Sequence, residues 1–320
     1  MQRIVFEWNG FCCVCHCDVH SEKVRDMLRQ PIELLGKGFA VPQKEIPNGG
    51  IVCVRDLMIK EEKGAALSRD WRTIVLRASE KNLLKTEMIA CLLLQIFLVE
   101  GLKQGILAFH GSAVHVDDKN IVLLGESGAG KTTVAFALCE DKGGKLISND
   151  FIALRWQDAR LKIVWDDGTS KMSLRKDVFS SYSEKKHSKD RFLGSENRNY
   201  YDLKQLNIQT YESKDFIDEI WWIELSETGE NHTRMPDFRE NMQRLYLNAM
   251  GLITGIHLKL YDHQGNWVAN CPYPLEPEEL KRVDDHLTRV IHKFGCKELR
   301  GDLPFVLTAL CPEKGKETAG

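Results

Sequence analysis

The chain has 320 residues, 44 of them basic and 46 acidic, for a net charge of −2. That balance excludes a general nucleic-acid binder, which carries a basic surplus, so no nucleic-acid partner is expected. The length allows one large domain or two ordinary ones. Ten cysteines lack regular disulfide spacing, and the first residues lack the basic start and apolar core of a secretory signal. Together they predict reduced thiols in a cytoplasmic protein.

In chain order, Asn9-Gly10 between two apolar runs (residues 4–8 and 11–15) predicts a tight β-hairpin. A helical stretch is expected near residues 22–35, and strands at 51–54 and 73–76. The first 82 residues therefore read as a small, mainly β module. Residues 83–102 form a strongly apolar helical pattern. Its longest apolar run, 88–99, is interrupted by Gln95 and is too short to span a bilayer, so a buried helix and no membrane association are expected.

Residues 105–116 read as a strand, Asp117-Asp118-Lys119-Asn120 as a turn and residues 121–124 as the returning strand. So short a connection joins only antiparallel neighbours, because a parallel pair needs a crossover of about a dozen residues or more. After a helix at about 133–138, residues 145–154 suggest a strand interrupted at Asn149 and Asp150. Further strands are expected at 161–165, 217–225 and 255–261, a helix at 276–294 and a last packed segment at 305–310. Residues 83–310 are expected to form the second domain, and 311–320 a frayed tail.

Gly125-Glu126-Ser127-Gly128-Ala129-Gly130-Lys131-Thr132 matches the phosphate-loop pattern G-x-x-x-x-G-K-[ST] at every fixed position, with Thr133 opening the helix behind it. By chance the fixed positions co-occur in roughly one chain of this length in a hundred. Gly128 and Gly130 permit backbone angles that turn successive N–H groups inward onto phosphate oxygens. The helix behind adds the positive end of its dipole. Lys131 supplies an ammonium to β/γ oxygens and Thr132 a hydroxyl to Mg²⁺. The loop alone does not separate a transporter, a switch and a kinase.

The loop together with Phe109-His110-Gly111-Ser112-Ala113-Val114 before it and Leu146-Ile147-Ser148-Asn149-Asp150 after it resembles the nucleotide core of HPr kinase/phosphorylase and its bacterial relatives. That core is shared with ATP-dependent phosphoenolpyruvate carboxykinases. The resemblance covers residues 100–155, continues more weakly to about 305, and leaves the N-terminal hundred residues outside it. The chain looks most similar to HPr kinase-related proteins found with peptide-modification gene clusters, some of which phosphorylate a serine of a precursor peptide. It implies an α/β (α+β) fold with a phosphate-loop core on a mixed sheet, ATP and Mg²⁺ as cofactors, and a peptide or protein partner offering a serine hydroxyl. A homo-oligomer is compatible with it. Residue by residue, it implies that Lys131 and Thr132 hold phosphates and Mg²⁺, that Asp150 ligates the metal and that His110 faces the phosphates. The position of the family's general base is Asn149 here, and an amide takes up no proton at neutral pH. Either Asp150 serves both roles, or another acid such as Asp166 moves in, or transfer proceeds by positioning.

Two other features have a structural and a functional reading. Cys12, Cys13, Cys15, His16 and Cys17 crowd one predicted strand, where alternate side chains face opposite ways, and read as small core thiols rather than a metal site. The polar stretch from 180 to 201, preceded by Lys171, Arg175 and Lys176, is either a solvated loop or a lid. Arg175 is the candidate for a phosphate-stabilising arginine, because a guanidinium fork holds two oxygens at once. The competing overall reading is an ATP-binding scaffold that has lost catalysis, and a small hydroxylated metabolite such as free serine is the variant substrate.

Overall fold

A computed structural model describes residues 1–34, 37–70, 73–166, 171–175, 198–211, 216–226, 230–254, 259–262, 264, 266–270 and 273–312. The fold is mixed α/β, with several sheets. Contacts divide it into two units: Met1–Ala108 with Ala249–Asp284, and Phe109–Asn248 with Asp285–Gly320. By contacts the apolar helix belongs to the first unit. The expected tail lies largely outside the described residues.

In the first unit, β1 (Gln2–Trp8) and β2 (Phe11–Asp18) form the expected hairpin in antiparallel register from Gln2↔Cys17 to Trp8↔Phe11. Asn9 and Gly10 both take positive φ (50° and 82°), the pair of left-handed residues that matches strand twist in a two-residue turn. Helix α1 (Glu22–Leu28) is shorter than expected. Pro31 disfavours helical geometry at Gln30, and the chain instead enters β3 (Ile32–Leu34) and β4 (Lys37–Gln43). Next come β5 (Ile51–Val52), β6 (Asp56–Glu61), β7 (Ala65–Arg69) and β8 (Thr73–Ala78), then α2 (Glu80–Leu83). The strand order is β3-β4-β1-β2-β6-β8-β7, with β5 beside β2.

Helix α3 (Thr86–Lys103) is buried on all faces from Met88 to Leu102, as expected of a helix apolar all round. Phe97 on it meets Trp8 and Phe39, with ring centroids 5.7 and 6.0 Å away. Its one mid-helix amide, Gln95, is satisfied: Nε2 donates to Thr254 O at 3.1 Å, and Oε1 accepts from Arg69 at 3.0 Å. Asn82 likewise donates to Tyr261 O at 2.8 Å. Those amides tie residues 249–284 into this unit. No helix among the described residues is long and apolar enough to cross a membrane.

The division falls within β9 (Ile106–Phe109). The second unit is built on β10 (Gly111–Val116), β11 (Lys119–Leu124), α4 (Lys131–Lys142) and β12 (Lys145–Ser148), followed by the hairpin β13 (Ile152–Gln157) and β14 (Arg160–Asp166). The ladder β15 (Lys171–Arg175)–β16 (Arg198–Asp202) precedes β17 (Glu219–Leu225), β18 (His232–Arg234) and α5 (Phe238–Ile253). A short pair, β19 (Lys259–Tyr261) and β20 (Trp267–Asn270), belongs to the first unit; α6 (Pro277–Phe294), β21 (Lys297–Gly301) and α7 (Leu303–Leu310) complete the chain.

The central sheet has the order β12-β10-β11-β17-β21-β18. The strand before the loop is antiparallel to its predecessor, as its short connection requires: β10 pairs β11 from Gly111↔Leu124 to Val116↔Lys119. The turn is tighter than the four residues expected, since only Asp117 and Asp118 (φ 50° and 62°) lie outside the ladder. On its other side β11 pairs β17 in parallel, and β17 pairs β21 in parallel. One face buries Val114, Val116, Ile121, Leu123, Trp221, Ile223 and Leu299 in a core shared with α4 and α7.

Candidate functional site

Strand directions decide which residues meet. β10 runs against both β11 and β12, so β12, β11, β17 and β21 all point the same way. Their carboxyl ends, Ser148, Leu124, Leu225 and Gly301, share one edge of the sheet, the edge where ligands gather in open α/β sheets. Three groups named from the sequence lie there. His110 sits one residue before Gly111, whose partner is Leu124. The loop starts at Gly125. Asn149 and Asp150 follow Ser148, which pairs with Ala113.

The loop is a self-supporting turn. Ala129 N–H donates to Glu126 O at 3.1 Å, and Leu225 N–H on β17 donates to Ala129 O at 2.9 Å. Lys131, only 6% exposed, folds back so that Nζ donates to Gly125 O at 2.9 Å and Glu126 O at 2.8 Å. Two glycines are required by close approach: a Cβ on Gly125 (φ 153°) would meet Ile223 O at 2.5 Å, and one on Gly130 (φ 94°) the Leu225 side chain at 2.5 Å. Gly128 (φ 87°) has open space around it. Glu126, Ser127 and Gly128 are exposed, Ala129, Thr132 and Thr133 half-buried. α4 starts at Lys131 without a side-chain cap on its first N–H groups. An uncapped helix start behind a glycine loop is a ready anion cradle, so the donor set fits a chain of phosphates.

The acidic side of the edge is built by short hydroxyl contacts. Ser112 Oγ donates to Asn149 O, and Ser148 Oγ donates to Phe151 O, fixing the break between β12 and β13. Asn149 is 1% exposed, and its Nδ2 donates to Asp150 Oδ2 at 3.0 Å. The Asn149 amide therefore orients the neighbouring carboxylate. Asp150 itself is half-buried. Among the described residues no group of three or more His, Cys, Asp or Glu side chains converges. Mg²⁺ on a nucleotide needs none, since one or two carboxylates with phosphates and water complete its shell; Thr132 and Asp150 fit that pattern.

Asp166 ends β14 with its Cα opposite Ile152, two residues from Asp150, so the backbone brings the two acids into one neighbourhood. Arg175 ends the β15–β16 ladder opposite Arg198, and its side chain lies outside the described residues. So does most of the polar stretch read as a loop or lid. Among the cysteines of β2, Cys13, Cys15 and Cys17 share a buried face and Cys15 Sγ lies 3.4 Å from Cys17 Sγ. Burial pushes the Cys13 thiol up to about 12.

Sequence reasoning missed helix α5. Its signal was present: Asp237 Oδ1 accepts from Glu240 N–H at 2.8 Å, a cap that Asp237 followed three residues later by Glu240 spells out. It also missed what α5 carries. Glu298, 3% exposed on β21, accepts from Arg244 at 2.6 Å and lies 2.6 Å from Arg234, and His232 Nε2 is 3.2 Å away. Arg234 and Arg244 both also pair with Glu240. Burial alone would raise the Glu298 carboxyl; the hydrogen bonds from Arg244, Arg234 and His232 outweigh it and hold it below the usual range. Further along α5, the Asn248 amide grips the main chain of His110: Oδ1 accepts from His110 N–H and Nδ2 donates to His110 O, both at 2.9 Å.

No protein-family model matches the chain, and no curated protein matches it. Among solved structures, the Hpr(Ser) kinase/phosphatase from Coxiella burnetii is similar over 58% of this chain and 90% of that one, with 12% sequence identity and a TM-score of 0.27. A likeness of that size carries no argument about activity, and the functional reading rests on the residues themselves.

Proposed function

We propose that the protein is an ATP-dependent kinase that transfers the γ-phosphoryl group to a serine hydroxyl of a peptide or protein. The observation that carries this reading is the shared sheet edge, where the complete phosphate-loop motif, His110 and the Asn149-Asp150 turn come together. In this reading the loop N–H groups and Lys131 hold β and γ phosphate oxygens. Thr132 Oγ1 and the Asp150 carboxylate would hold Mg²⁺, which would supply charge neutralisation at the phosphates. Lys131 leaves the Gly125 and Glu126 carbonyls when phosphate oxygens replace them. The serine oxygen forms the new bond to phosphorus as the bond to the β-bridging oxygen breaks, and its proton passes to Asp150 or Asp166. Phosphoryl transfer needs alignment and charge stabilisation more than a strong base, so Asn149 is compatible with it. The first unit is the candidate for peptide docking, with the peptide adding as a strand; β7, at the end of the strand order, supplies an edge. A precursor peptide is the preferred acceptor class.

One observation favours a second reading, an ATP-binding scaffold without catalysis: the buried amide of Asn149 where an acid would serve as base. Incubation with ATP, Mg²⁺ and serine-containing peptides or free serine, followed by mass measurement, separates the two. Gain of one phosphate, lost in Lys131→Ala and Asp150→Ala, supports the kinase. Tight ATP binding without transfer to any hydroxyl supports the scaffold.

A further inference from the structure

His110 stands where the β10–β11 ladder ends. The last rung is Gly111↔Leu124; beyond it β11 leaves the sheet at Gly125 to form the loop. The N–H and C=O of His110 must be satisfied in a half-buried setting. Asn248 does both, since its side-chain amide carries a donor and an acceptor side by side, like a peptide group. The amide acts as a substitute rung. Aspartate could accept from the N–H but not donate to the carbonyl, and alanine could do neither.

The support is rigid. α5 is held by Arg244 on Glu298 and by Glu240 on Arg234, while Arg244 lies 5.5 Å from the Trp222 ring centroid. Asn241 Nδ2 donates to Pro236 O at 3.1 Å where the helix begins. The ion-pair cluster thus fixes the helix, and the helix fixes the main chain from which the imidazole projects.

We infer that Asn248 is a positioning residue for phosphoryl transfer, holding His110 at the loop edge. The inference rests on the proposed kinase activity for its consequence, whereas the clamp itself is testable without it. His110 adjoins the phosphate loop at the sheet edge, and a shift of a group beside the reacting phosphate costs up to about a hundredfold in rate.

The test uses the full chain with Asn248→Ala, Asn248→Asp and His110→Ala, singly and combined, each checked for folding by circular dichroism. Phosphoryl transfer in Asn248→Ala should fall in kcat by about ten- to a hundredfold, with the KM for ATP little changed and Asn248→Asp intermediate. In the His110→Ala background, Asn248→Ala should add no further loss, because its effect runs through His110. Losses that multiply in the double variant overturn the inference. Hydrogen exchange at the His110 amide gives an answer even if the wild-type protein transfers no phosphate: it should speed up at least about tenfold in Asn248→Ala and less in Asn248→Asp. Unchanged exchange means there is no clamp. Faster exchange in an inactive wild type leaves the clamp standing and removes the kinase reading alone.

Discussion

Lys131 Nζ donates to the carbonyl oxygen of Gly125, 2.9 Å away, across the loop that the two residues bracket. The cation that would meet a nucleotide is thus used to close its own loop. Replacing it has two consequences with different readouts. Lys131→Ala should lower the stability of the nucleotide-free protein by about 1–3 kcal/mol, because the buried Gly125 carbonyl loses a charged donor, measured by urea unfolding. It should also abolish stabilisation by Mg·ATP, which in the wild type reaches about 2.7 kcal/mol at a hundredfold excess over Kd. Nucleotide stabilisation that survives the substitution removes Lys131 from the site.

Asn149→Asp tests why an amide stands beside Asp150. The substitution removes the Nδ2 donor and sets a second carboxyl at a position only 1% exposed. Burial and a like charge both raise the pKa of such a group. The variant should be destabilised by about 1–3 kcal/mol at pH 8 and recover part of that at pH 5.5, where one proton can be shared. Destabilisation that grows on acidification contradicts the assignment.

His286 gives a pH prediction with a fixed sign. Burial, with a smaller contribution from Arg289, pulls its imidazole down to about 3, so the folded protein holds it neutral while the unfolded chain protonates it near 6.5. Stability from this group is complete above about pH 6.5 and is lost as pH falls toward 3, reaching about 2 kcal/mol by pH 5. His286→Phe should flatten unfolding free energy between pH 7 and pH 5 relative to wild type. An identical slope in the two proteins rules out a buried neutral histidine as its source.

Glu298 should make its own acid limb. Its carboxyl is held low, so its contribution is present above the ordinary carboxylate range and disappears as pH falls through the folded value. Glu298→Gln should destabilise at neutral pH by about 1–3 kcal/mol, because Arg234 and Arg244 lose a charged acceptor while keeping Glu240. The loss should narrow below about pH 4. A full-size loss at low pH means the carboxylate charge is not what the arginines require.

Much of the local structure of both units could be read from the sequence. Asn9-Gly10 and Asp117-Asp118 announce turns because few residue pairs accept consecutive positive φ. The short link between β10 and β11 dictates antiparallel pairing whatever the rest of the fold does. The glycine loop and the Asn149-Asp150 break were visible for the same reason: local geometry demands those residue types. Long-range consequences were not visible. No spacing in the chain joins Asn248 to His110, and Glu298 meets Arg234 and Arg244 only because β18, β21 and α5 pack together. The expected helix at 22–35 ends at Leu28 because Pro31 disfavours helical geometry at the residue before it. Helix α5 was overlooked although its cap was written in Asp237 and Glu240.

The most direct test of the account is calorimetric titration of Mg·ATP into the wild-type protein and into Lys131→Ala and Asp150→Ala. The account predicts saturable binding to the wild type, at least about a hundredfold weaker in Lys131→Ala, and an Asp150→Ala defect that vanishes when Mg²⁺ is withheld. Absence of binding to the folded wild-type protein at millimolar nucleotide would contradict it.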